Sequence, residues 1–274
     1  RYPNKLSAEA IEGAEHLRII STSGRGTDAI DIAAATARGV PVVNNPAFGT
    51  VPVAEHTIGV MIAFAKNLLP LNRLTHAGKG WPAQKDYRRT ELRGKTLGVI
   101  GLGNIGSEVA RICIQAFRMR VLAYDPYVPP GKAQALGAEP VSDLGRIWCE
   151  SDYVSIHAEL NDETRGMVGE TQLRAMQSHA ILINTARGPI VQTQALAAAL
   201  RERRIAGAAL DVYEDEPFTT DSPLAGLENV ILSPHIGGLT VEAVHGMALS
   251  AADQILQALR GERPPHVVNP QVWG

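Results

Sequence analysis

Thr96-Leu97-Gly98-Val99-Ile100-Gly101-Leu102-Gly103-Asn104-Ile105-Gly106 is a β-rich run that breaks into a glycine loop and then opens a helix. A G-x-G-x-x-G pattern alone is weak; between a strand and a helix it is a dinucleotide-binding signature. Each glycine has a task there: Gly101 permits the tight turn, Gly103 lets the backbone approach a pyrophosphate, and Gly106 lets the helix pack close to the strand. The helix that follows, 104–117, carries Ile105, Val109, Ile112, Cys113 and Ala116 at helical spacing. Its N-terminus offers unpaired N–H groups and the positive end of a dipole to phosphates.

Asp125 ends the next strand, Arg120–Tyr124. It stands at about the ~20-residue offset of the carboxylate that receives the adenosine ribose 2′-hydroxyl. A 2′-phosphate is repelled by that carboxylate, and Pro126-Tyr127-Val128 supplies no arginine for one. NAD is therefore expected over NADP. Gly94-Lys95-Thr96 resembles the end of a nucleotide-triphosphate loop, but position 89 is Arg89 where that loop needs glycine, and a strand follows instead of a helix.

Working outward, apolar runs alternate with amphipathic stretches. Strands are expected at 17–22, 40–44, Thr96–Ile100, Arg120–Tyr124, Tyr153–Ile156, 180–184, 206–212 and 230–233. Helices are expected at 28–38, 51–67, 104–117, 131–136, 142–149, Glu170–Ala175, 192–201 and Val241–Leu259. Strands separated by helices argue for an α/β protein with a parallel sheet wound on both faces. The polar stretch 72–93 reads as the crossing from a first domain into a second.

Composition narrows the function classes. The chain has 274 residues, 45% hydrophobic, with 26 Lys and Arg against 28 Asp and Glu, a formal charge of −2. That balance carries no basic excess for nucleic acid. No apolar stretch is long enough for a bilayer. Cys113 and Cys149 make no disulfide framework, and no CxxC or HExxH spacing occurs, so no metal is expected and the expected compartment is reducing.

Ligands of open parallel sheets bind beyond the carboxyl ends of the strands. Arg187 follows 180–184, Asp211 lies near the end of 206–212, and His235 follows 230–233. Histidine titrates near neutrality and moves a proton in either direction. A carboxylate orients the imidazole and favours its charged form. Arginine holds a substrate carboxylate as a bidentate pair. Together they point to hydride transfer on a 2-hydroxy or 2-oxo acid.

These residues resemble the D-isomer-specific 2-hydroxyacid dehydrogenases. The resemblance is carried by Gly101-Leu102-Gly103-Asn104-Ile105-Gly106, Asn184-Thr185-Ala186-Arg187-Gly188, Ala209-Leu210-Asp211-Val212 through Glu216-Pro217, and Ser233-Pro234-His235-Ile236-Gly237. Gly24-Arg25-Gly26-Thr27-Asp28-Ala29-Ile30-Asp31 is similar to the family's substrate-carboxylate loop. Asn45-Pro46 with Ala54-Glu55-His56-Thr57 is similar to the start of its long helix.

The resemblance implies a Rossmann-type cofactor domain, 72–238, inserted into a smaller flavodoxin-like α/β substrate domain, 1–71 and 239–274. Part of that smaller domain is expected to precede Arg1. It implies Arg187 as substrate binder, His235 as acid/base and Glu216 as its partner. Asp211 is expected at the nicotinamide amide, and backbone N–H groups around Arg25 and Gly26 at the substrate carboxylate. NAD is expected along Gly101, Gly103, Asn104, Ile105 and Gly106, then Tyr124, Asp125 and Pro126, and then His157, Thr185, Ala186 and Gly237. A cytoplasmic homodimer is expected, with domain hinges near 71–77 and 236–241; Trp81 reads equally as a packing residue or, by the resemblance, as part of an arm near the partner. Phosphoglycerate dehydrogenases resemble the chain too, but often carry arginine where Thr22 stands. Small acids such as glyoxylate, hydroxypyruvate or pyruvate are comparable expectations. Two rival readings are an NADH-sensing corepressor on the same fold and a relative using formate or phosphite. Glu216 speaks against formate, since formate enzymes that resemble this pattern carry Gln there. His56, beside Glu55, reads as structural or as a hinge.

Overall fold

Residues 5–273 are described by the computed structural model. Arg1 to Asn4 and Gly274, which begin the first and end the last of the expected segments, lie outside them. The chain divides into two compact units, Arg1–Pro52 with Gly238–Gly274, and Val53–Gly237.

In the smaller unit, strands β1 (Ile20–Ser21) and β2 (Val42–Val43) pair in parallel. Ile11, Ile20, Ala35, Val40 and Val42 form its core. The helix Ile32–Ala37 begins later than expected, because Asp31 is its cap: the side chain accepts from the Ala34 N–H at 2.9 Å. The returning segment is stitched in by a buried amide. Asn269 accepts from the Val42 N–H at 2.8 Å and donates to Val40 O at 3.0 Å. Its side chain thus pairs backbone groups at the edge of a strand too short to pair them all.

The larger unit carries β3 (Thr96–Ile100), β4 (Arg120–Tyr124), β5 (Glu139–Pro140), β6 (Tyr153–Ile156), β7 (Ile181–Asn184), β8 (Gly207–Leu210) and β9 (Val230–Leu232). All pair in parallel in the order β5-β4-β3-β6-β7-β8-β9. The order reverses at β3, so a crevice opens between the loops after β3 and β6. Side chains alternate between faces. Leu97, Val99, Val121, Ile181 and Ile183 enter one core, and Ile100, Leu122, Val154, Ile156 and Leu182 enter the other. A sheet buried on both faces explains why its strands read as unbroken apolar runs.

The long helix Thr50–Lys66 places Ala54, Ile58, Met61 and Ala65 in the first of these cores, beside Leu97 and Val99. The division at Pro52 therefore precedes the expected boundary near residue 71: that apolar face, at spacings of three and four, belongs to the sheet. The stretch read as a crossing also holds a helix, Leu68–His76. Pro70 sits in its first turn, where its missing N–H costs nothing. The short edge strand β5 gave no periodic signal.

Candidate active site

Sheet register aligns the candidates. Ile100 pairs with Tyr124 and Ile156, Ile156 with Asn184, Asn184 with Leu210, and Leu210 with Leu232. These form one row across the carboxyl edge. One residue further on stand Gly101, Asp125, His157, Thr185, Asp211 and Ser233.

At the crevice, Gly101 has φ +92 and lies against His157 and Ala158, so that an added Cβ would come within 2.6 Å of the Ala158 nitrogen. A Cβ at Gly106 would lie 2.0 Å from Gly101 O. Neither position accepts a side chain. Gly103 differs: a Cβ there would meet no protein atom within 4 Å. Gly103 is also the cap of the helix Asn104–Gln115 and supplies no side-chain acceptor to its first N–H groups. The protein has thus built a close turn around an open spot at a long helix's N-terminus, which fits a dinucleotide pyrophosphate.

Asp125 fits the ribose end. Its Oδ2 accepts from the Leu102 N–H at 2.7 Å and its Oδ1 from the Tyr127 N–H at 2.9 Å. The carboxylate thereby joins the glycine loop to the turn through Pro126, and each oxygen keeps acceptor capacity. Tyr124 lies just before it in the same row. Opposite, the His157 N–H continues the ladder to Ile100 O at 2.7 Å, and its Nε2 is 2.9 Å from Ser155 Oγ. Desolvation pushes the His157 imidazole down to about 4, so the ring is neutral at ordinary pH.

The turn after β7 is organised by Asn184, which is 1% exposed. Its Oδ1 accepts from the Ala186 N–H at 3.1 Å and its Nδ2 donates to Arg187 O at 2.9 Å. Thr185 Oγ1 lies 3.3 Å from Thr57 Oγ1, and Arg187 Nη1 donates to Ala186 O at 2.8 Å. Gly188 is pressed onto the neighbouring strand end: a Cβ would fall 1.8 Å from the Tyr213 carbonyl carbon. The glycine after Arg187 lets these two loops touch.

Beyond β8 and β9 the structure brings Glu216 and His235 together. His235 Nδ1 is 2.8 Å from Glu216 Oε2, with His235 partly exposed and Glu216 more enclosed. The other carboxylate oxygen, Oε1, accepts from the Tyr213 N–H at 2.9 Å. Tyr213 donates its hydroxyl to Ser233 O at 2.8 Å, tying the two strand ends under the site, and burial pushes its phenol up to about 12. His235 has φ +55, which costs a non-glycine residue about 1–2 kcal/mol. Asp211 holds that turn. It is 3% exposed and accepts from Ser233 Oγ at 2.6 Å, from the Ile236 N–H at 2.9 Å and from the Gly237 N–H at 2.7 Å.

Sequence gave no role to Tyr213 or Ser233 and read His56 as structural or as a hinge, without its partner: His56 Nε2 is 3.1 Å from Ser233 Oγ. Tyr213 and Ser233 lie inside the recognised motifs, which gave them no role of their own. His56 lies 177 residues from its partner, beyond any spacing rule. Arg25 and Gly26 fall in the smaller unit. Their loop is held by Asn44, which donates to Arg25 O at 2.9 Å, and by the Asn45 N–H, which donates to Gly24 O at 2.9 Å.

Among the described residues no group of three or more metal-binding side chains occurs, and no helix is long and apolar enough to cross a membrane.

Comparison with known proteins gives the same picture. Residues 58–237 match the family model "D-isomer specific 2-hydroxyacid dehydrogenase, NAD binding domain". A D-3-phosphoglycerate dehydrogenase of Methanocaldococcus jannaschii is 42% identical over 98% of this chain and 51% of its own length. A glyoxylate reductase of Thermofilum pendens is 41% identical over 98% of this chain and 80% of its own. The chain thus spans about half the length of the phosphoglycerate dehydrogenases it matches. In three dimensions, the TT0316 protein of Thermus thermophilus superposes with a TM-score of 0.89 at 34% identity, covering 97% of this chain and 83% of that one.

Proposed function

The chain belongs to the D-isomer specific 2-hydroxyacid dehydrogenase family, and on that premise we propose that it interconverts a D-2-hydroxy acid and its 2-oxo acid with NAD. The observation that carries the reading is the 2.8 Å pair of His235 Nδ1 and Glu216 Oε2 on the edge where the cofactor cradle lies. When bound, the cofactor's nicotinamide supplies the hydride in the reducing direction and accepts it in the other.

In reduction, His235 gives a proton to the substrate oxygen; in oxidation it takes one. With Nδ1 committed to Glu216, the proton exchanged is the one on Nε2. Glu216 stabilises the imidazolium and fixes the ring's orientation. Arg187 pairs with the substrate's carboxylate and polarises its carbonyl. Asp125 receives the ribose hydroxyls and disfavours a 2′-phosphate. Thr185, Ala186, Asp211 and Gly237 line the nicotinamide end, and Asn104 and Ile105 the phosphates. We assign a small 2-oxo acid as substrate: the two relatives described above are named for phosphoglycerate and glyoxylate chemistry, and Thr22 supplies no arginine for a phosphate. The protein works as a cytoplasmic homodimer in this reading.

The test is NADH oxidation against a panel of 2-oxo acids, with NADPH in parallel. Turnover on a member with NADH preferred is the expected result. NADH binding with no turnover on any member contradicts it and favours a cofactor-sensing protein.

A further inference from the structure

Asp211 is a buried carboxylate whose donors are Ser233 Oγ–H and the N–H groups of Ile236 and Gly237. The last two follow His235 directly. A carboxylate only accepts, so the Ser233 proton points at Asp211. The Ser233 oxygen can then take part in its 3.1 Å contact with His56 only by accepting from Nε2. His56 Nε2 also lies 3.9 Å from Asp211 Oδ1 itself. A Cβ built on Gly237 would sit 3.5 Å from the His56 ring. The imidazole therefore both backs the turn after His235 and ends the hydrogen-bond chain that holds it.

We propose that His56 is a positioning residue for His235, donating from Nε2 to Ser233 so that Ser233 and Asp211 lock the left-handed turn. The proposal deepens the dehydrogenase reading, since it rests on His235 as acid/base. Physically, a buried carboxylate is stable only with its donors in place. Without the Nε2–H, the Ser233 oxygen is left unsatisfied and its hydroxyl is free to rotate off Asp211. The Ile236 and Gly237 N–H groups then have a weaker acceptor, and a backbone at φ +55 has less to hold it there. His235 leaves its alignment with Glu216, although neither residue touches His56 in this chain of bonds.

Two measurements test this without turnover. Imidazole nitrogen NMR of the full chain is expected to show His56 protonated at Nε2; a ring bare at Nε2 overturns the proposal, and this needs no variant. Amide exchange at Ile236 and Gly237 is expected to accelerate roughly tenfold in His56→Leu and to return most of the way in His56→Gln, which keeps a donor. Adding His56→Leu to Ser233→Ala is expected to change little further, because both act through one chain of bonds. Equal exchange in His56→Leu and wild type, no recovery in His56→Gln, or additive effects overturn it. With the substrate found by the panel, kcat of His56→Leu is expected to fall about tenfold while the Kd for NADH moves less than about threefold. A wild-type chain without turnover defeats the dehydrogenase reading and leaves the exchange and tautomer results to decide the positioning claim.

Discussion

At the crevice end of the site, the fold works by leaving side chains out. Gly101 and Gly106 let backbone touch backbone, and Gly103 leaves an open spot at a helix N-terminus. At the His235 end it works by putting side chains in. Glu216 holds the ring, Asp211 the backbone, and Ser233 and His56 hold Asp211. The first region depends on sterics, Gly101 and Gly106 pressing on each other and on His157 and Ala158 across the crevice. The second depends on polar partners gathered from separate strands and from the helix Thr50–Lys66. In the proposed reading one end receives a cofactor and the other holds a proton carrier in one pose, so damage to each is expected to leave a different trace.

The sharpest break is His235→Ala. Loss of the acid/base is expected to lower kcat by about 10²–10⁴, with NADH binding retained, as read by cofactor fluorescence. Arg187→Ala follows: losing a charge-assisted pair is expected to raise KM for the 2-oxo acid by about 10²-fold. Gly188→Ala probes the seam between the two loops. A Cβ 1.8 Å from the Tyr213 carbonyl carbon forces backbone to move, and a loss of about 2–4 kcal/mol is expected in urea unfolding. Gly103→Ala is the contrasting case. Nothing in the protein lies within 4 Å of the new methyl, so stability is expected to stay within about 0.5 kcal/mol. NADH binding is expected to weaken about tenfold, because the phosphates meet the methyl instead.

The smallest effect lies at His157. Its imidazole is held down to about 4 from an ordinary 6.5, so the folded state binds its proton less readily than the unfolded state. That contribution is fully present above about pH 6.5 and is lost as pH falls toward 4. Unfolding titrations are expected to show up to about 3 kcal/mol of acid sensitivity from this group, removed in His157→Gln.

The same contrast explains what the sequence revealed. The strand, glycine loop, helix and Asp125 lie within one local unit, so spacing alone located that unit. The strands β3, β4, β6, β7 and β8 were legible because they are buried on both faces and read as apolar runs. Arg187, Asp211 and His235 stood out as reactive side chains at strand ends, and Glu216 came only from the family resemblance. The donors gathered around Asp211 did not stand out, because they are defined by the register of β8 and β9 and by a helix brought in from a distant part of the chain.

The most direct test crosses the two regions by measuring NADH affinity and turnover on the same preparations of His235→Ala and Gly103→Ala. The account predicts a double dissociation. His235→Ala binds NADH as wild type does and turns over poorly at any concentration; Gly103→Ala binds weakly and recovers most of its kcat at saturating NADH. If both variants lose binding and turnover together, the division of labour between the glycine cradle and the His235–Glu216 pair is wrong.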